Sequence, residues 1–168
     1  MPRKDHENMK HLTRLTVIFL IIAMLLSLSA CRVKLDRDVE ISSNANITSI
    51  DVYNYTEDFE GNATELRELS TPTYTVPAER ISEVAKSIED VDYEQIAWFP
   101  LPIDYAYVFS YGYVIVIEYD NGGYDIIAEH GTLMHRQDED GNYHHSYTPA
   151  DYRGDIPWSE FVESFVHE

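Results

Sequence analysis

Residues 113–130, YVIVIEYDNGGYDIIAEH, place two runs of β-branched and aromatic residues on either side of an Asn-Gly pair. Alternation at a period of two, interrupted by Asn-Gly, is the strongest short-range signature of an antiparallel hairpin. A chain built on such a hairpin has to bury at least one face of a sheet, so the remaining sequence can be searched for what covers it. If DNGG forms the whole loop, Tyr119 faces Tyr124, Ile117 faces Ile126 and Ile115 faces Ala128, and this face is the expected core. On the other face Val116 meets Ile127 and Glu118 meets Asp125. The last pair sets two carboxylates directly opposite each other, which is mildly repulsive.

Other segments supply partners for the hairpin. ITSIDVYNY, Ile47 to Tyr55, alternates and reads as a first strand. LRELSTPTYTV, residues 66–76, reads as an irregular extended segment that Pro72 breaks or confines to an edge. Pro77 opens a helix expected over residues 77–90, capped by Thr75 or Val76. Its Ile81, Val84, Ala85 and Ile88 fall on one apolar stripe. Residues 90–104 carry Pro100 and Pro102 and read as a connection, and the alternation of Tyr105, Tyr107 and Phe109 then predicts a further strand. A turn at Asp140-Gly141 should join short strands near Thr132–Arg136 and Tyr143–Tyr147. Trp158, Phe161, Val162 and Phe165 repeat the helical spacing and predict a C-terminal helix near residues 156–166. The expected fold is α+β: an antiparallel meander of five or six strands with two helices.

Ahead of this region the chain has three zones. Residues 1–14 are polar and carry Arg3, Lys4, Lys10 and Arg14 against Asp5 and Glu7. LTVIFLIIAMLL, Leu15 to Leu26, is apolar, and the small-residue stretch Ser27–Ala30 ends at Cys31, the sole cysteine. A basic start, a short apolar core and small residues at a cut site describe a secretory signal peptide. The apolar core falls short of the roughly 20 residues a spanning helix needs. Residues 32–46 lack any period and end in SSNAN, so residues 31–46 are read as a flexible tether and residues 47–168 as a single domain.

Leu28-Ser29-Ala30-Cys31 resembles the lipobox of bacterial lipoproteins, in which an aliphatic residue and two small residues precede a cysteine. The resemblance covers the signal segment alone. It implies cleavage before Cys31, lipidation of the Cys31 sulfur and an acylated amino group. It implies an extracytoplasmic protein held by its acyl chains on the outer face of a Gram-positive membrane, or on the outer membrane of a Gram-negative cell. Each buried methylene contributes ~0.8 kcal/mol, so two or three chains anchor almost permanently. Arg32 stands where an aspartate would favour inner-membrane retention.

Charge narrows the list of partners. The chain carries a net −18, and removal of residues 1–30 makes this −20. Such a body is repelled by nucleic acid and by anionic lipid, which leaves the acylated Cys31 as its hold on the bilayer. An envelope protein or a cationic peptide is the partner class that this charge favours.

Chemistry-bearing residues are few. The facing Glu118 and Asp125 suit acid–base work on a glycosidic bond or a hard cation. His130, His135, His144 and His145 gather near the last turn, and imidazole suits zinc or copper. Adjacent His144 and His145 point to opposite faces of a strand, however. QDEDGN fails as a calcium loop, because Arg136 and Tyr147 fall where its first and twelfth ligands belong. Nothing points to a nucleophile, a phosphate loop or a cofactor. Tyr105, Tyr107, Tyr113, Tyr119 and Tyr124, among the chain's thirteen tyrosines, form a candidate binding face, since tyrosine gives large contact area at low entropic cost. The expected function is a membrane-tethered, non-enzymatic binding module. The alternatives are an enzyme or metal-handling protein using Glu118/Asp125 or the His130–His145 cluster, and an immunity-type lipoprotein that neutralises a cationic toxin.

Overall fold

A computed structural model describes residues 36–42, 45–56, 61, 63–95 and 111–166. The compact unit that holds them spans Lys34–Glu168. Its centre is one antiparallel sheet with eight strands among the described residues: β1 (Asp36–Asp38), β2 (Ile47–Tyr55), β3 (Tyr74–Thr75), β4 (Asp92–Gln95), β5 (Gly112–Tyr119), β6 (Tyr124–Ala128), β7 (His130–Gln137) and β8 (Tyr143–Tyr152). They lie in the order β1-β4-β8-β7-β6-β5-β2-β3. The α+β class holds, with more strands than the five or six expected. β1 and β4, of three and four residues, are too short to show a period and were not expected, whereas β3, two residues at the opposite edge, lies in the segment 66–76 read as extended and confined to an edge. Tyr105 and Tyr107, with the strand expected around them, lie outside the described residues.

Three helices flank the sheet. Helix α1 (Ala63–Leu69) was expected to be extended from Leu66 onward. Its residues are strong helix formers, and Leu66 buries itself against Tyr53 and Tyr55. A 3-10 turn (Ala78–Arg80) leads into α2 (Ile81–Glu89), as Pro77 and the apolar stripe predicted. The capping residue is Pro77 rather than Thr75 or Val76, and no side chain caps the turn. Helix α3 (Trp158–Val166) closes the described chain, with Trp158, Val162 and Phe165 buried. No helix among the described residues is long and apolar enough to cross a membrane.

The β5–β6 hairpin forms one residue out of the expected register. Tyr119 N–H donates to the Gly123 carbonyl (3.0 Å) and Gly122 N–H to the Tyr119 carbonyl (3.0 Å), so the loop is Asp120-Asn121-Gly122 and Gly123 belongs to the ladder. Gly122 takes the left-handed conformation (φ 83°) that ends three-residue hairpin loops. Glu118 therefore faces Tyr124, Ile117 faces Asp125 and Val116 faces Ile126. A slip of one residue moves every return-strand side chain to the other face.

Both faces tolerate this because both are apolar. The first face gathers Ile50, Val52, Ile115, Ile117 and Ile127 under α2 and α3. The second gathers Tyr53, Tyr55, Val114, Val116, Ile126 and Leu133, with Leu66 of α1 among them. The expected single core face is thus two half-cores, one on each side of the sheet.

The stretch read as a flexible tether is, from Asp36 onward, part of this unit. β1 pairs with β4 at one edge, while β2 lies six positions away. In a flat sheet that is about 29 Å at ~4.8 Å per strand. The nine residue steps from Asp38 to Ile47 reach ~30–32 Å at most, which leaves little slack. Val39 is buried in the first-face core, Ser42 N–H donates to the Tyr119 hydroxyl (3.2 Å), and Asn46 bonds the Asp120 carboxylate through its N–H (3.1 Å) and its amide (2.7 Å).

Candidate functional site

The two carboxylates expected to face each other stand on opposite faces of the sheet. On the second face Glu118 receives both forks of Arg67, at 2.6 Å from Nε and 2.9 Å from the second nitrogen. Such a bidentate pair has charge and geometry both satisfied. Asp125, on the first face, is 1% exposed. It accepts hydrogen bonds from the Tyr119 hydroxyl (2.6 Å) and the Arg136 guanidinium (3.0 Å). Burial pushes the Asp125 carboxyl up, and the bonds from Arg136 and Tyr119 oppose the shift. Burial first, and then the Asp125 charge, push the Tyr119 phenol well above its usual range. Arg136 also donates to the Glu40 carbonyl, so this network clasps the crossing segment before β2. Both carboxylates are committed to holding the fold. The sheet itself stands between them, so they cannot flank one bond as two-carboxylate hydrolysis requires.

The histidines divide in the same way. His130 sits 2.7 Å from Asp151, and His144 sits 2.7 Å from Asp138 in the β7–β8 turn. The Asp138 carboxyl is held at about 2 by His144 and the N–H of Asn142. His135 and His145 face each other across β7 and β8 with ring centres 4.1 Å apart. Among the described residues no three His, Cys, Asp or Glu side chains are placed to hold a metal ion.

The tyrosines proposed as one binding face occupy two. Tyr113 and Tyr119 belong to the first face, where the Tyr113 hydroxyl donates to Glu163 (3.3 Å) and its carbonyl accepts from the Trp158 indole (2.8 Å). Tyr124 belongs to the second face and is buried, with the Arg67 guanidinium 4.2 Å above its ring. Beside it lies a ring cluster the sequence reading did not single out. His135 packs edge-on against Tyr124 (4.8 Å) and Tyr143 (4.6 Å) and tilts against His145. Tyr143 is 48% exposed, and His145 is exposed as well. Both ring nitrogens of His135 are buried without a hydrogen-bond partner. Burial, then the nearby His145 and Arg67, lower its pKa, so the ring stays neutral. The signal was present in the turn. Glu139-Asp140-Gly141 repeats the loop of the β5–β6 hairpin, with Gly141 at φ 84°, and this register stacks Tyr143, His145 and Tyr147 on the strand beside His135 and Leu133.

A second feature opens at the β2–β3 edge. The paired positions end at Val52 and Tyr74, Thr73 N–H still donates to the Val52 carbonyl (2.7 Å), and Pro72, with no N–H to give, ends the bonding to β2 there. The gap is a pocket of about 300 Å³ lined by Tyr53, Asn54, Thr56, Leu66, Ser70, Thr71 and Thr73. None of these residues is charged.

No protein-family model, no curated protein and no solved structure matches the chain.

Proposed function

We propose that this protein is a lipid-anchored, non-enzymatic binding module on an extracytoplasmic membrane face. The anchor is the acylated Cys31. The recognition surface is the ring cluster of Tyr143, His145 and His135 on the second face. The observation that carries the binding reading is His135: two buried, unpartnered ring nitrogens roofed by one exposed tyrosine and one exposed histidine. Leaving buried polar atoms unbonded costs free energy, and a protein partner seated on this cluster supplies polar groups to those nitrogens. Tyrosine and histidine at the centre of a contact supply large area and polar tips at small entropic cost. The alternative uses of Glu118 and Asp125 find no support, since each is held by an arginine.

The test is cross-linking in intact cells followed by purification of the membrane-held protein. A partner captured by the wild type and lost with both Tyr143→Ala and His145→Ala supports the reading. A partner retained by both variants, or a hydrolytic activity that Glu118→Gln abolishes while the fold stays intact, contradicts it.

A further inference from the structure

We propose that the pocket at the β2–β3 edge is a recognition site for a neutral saccharide. Four hydroxyl residues (Thr56, Ser70, Thr71, Thr73) line it together with Asn54 and the nearly buried Tyr53 and Leu66. None of those four hydroxyls makes a hydrogen bond within the described residues, so their donors and acceptors are open to a ligand. Each hydroxyl donates once and accepts twice, which matches a ligand whose own groups donate and accept alike. Sugar hydroxyls have that property. Phosphates, carboxylates and cations need a counter-charge, and the lining offers none although a quarter of the chain is charged. A volume of about 300 Å³ lies at the lower end of small-ligand sites.

The pocket's origin gives it permanence. Pro72 prevents β3 from closing over Asn54, so the opening follows from covalent structure.

Titrate the full-length protein in detergent micelles with chitotriose, maltotriose and cellotriose, following amide shifts by NMR. At least one sugar should saturate below about 10 mM and shift the amides of residues 53–56, 70, 71 and 73. Thr73→Ala and Thr71→Ala should each weaken that binding roughly three- to tenfold, since each removes one neutral hydrogen bond. Thr71→Trp should abolish it by filling the pocket, with an unchanged melting temperature showing that the fold persists. Tyr143→Ala should leave it untouched, which separates this site from the ring cluster. Three outcomes overturn the proposal: no sugar binds, binding survives Thr71→Trp, or a neutral extended hexapeptide occupies the pocket in place of the sugars.

Discussion

Asp125 is a carboxylate buried among isoleucines, and its two partners decide whether the fold tolerates it. The Arg136 guanidinium and the Tyr119 hydroxyl satisfy its oxygens. Removing one member of a buried pair costs more than removing both, because the survivor keeps its desolvation penalty. Asp125→Ala should therefore lower stability by about 2–4 kcal/mol, while Asp125→Leu combined with Arg136→Leu should return to within ~1 kcal/mol of the wild type, read from urea midpoints. His135 gives a second expectation, in pH. Its folded-state pKa lies below the ordinary 6.5, for reasons of burial first and then of His145 and Arg67. As pH falls through 6.5 the unfolded chain takes up a proton that the folded ring still refuses, so stability declines there and levels off below the folded value. His135→Phe should remove that part of the slope between pH 7.5 and pH 5 without changing the rest. At this scale the sequence revealed which residues carry chemistry. It did not reveal their partners, because Arg67 lies 51 positions from Glu118.

Elements were legible where they are long and periodic. β2, β5, β6, α2 and α3 each repeat an apolar residue at the strand or helix spacing. The register of the β5–β6 hairpin was not, for a definite reason. DNGG contains two glycines, and a four-residue loop differs from a three-residue loop only in which of them takes the left-handed conformation. Gly122 takes it, and that single torsion puts Glu118 and Asp125 on different faces. A Cβ at Gly122 would also lie 2.9 Å from the Tyr143 hydroxyl. Gly122→Ala should thus cost about 1–2 kcal/mol, while the same change at the exposed Ser146 should cost under ~0.5, both measured by thermal unfolding.

For the whole molecule, the segment ahead of β2 matters most. Val39 fills the first-face core, and Arg136, Tyr119 and Asp120 bind the residues that follow it. Composition hid this, because residues 32–46 are polar and aperiodic, and the hydrogen-bond partners of Glu40, Ser42 and Asn46 lie between 74 and 96 positions away. A chain that starts at Ile47 should consequently be less stable than one that starts at Cys31 by at least ~3 kcal/mol, since it loses a buried valine, an edge strand and a clasp. The proposed lipid anchoring is argued from four residues, Leu28 to Cys31, and mass spectrometry of the protein extracted from membranes tests it most directly. The account predicts an amino-terminal peptide that begins at Cys31 and carries two or three acyl chains. A membrane-held chain with an unmodified Cys31, whether still joined to residues 1–30 or cut elsewhere, would contradict it.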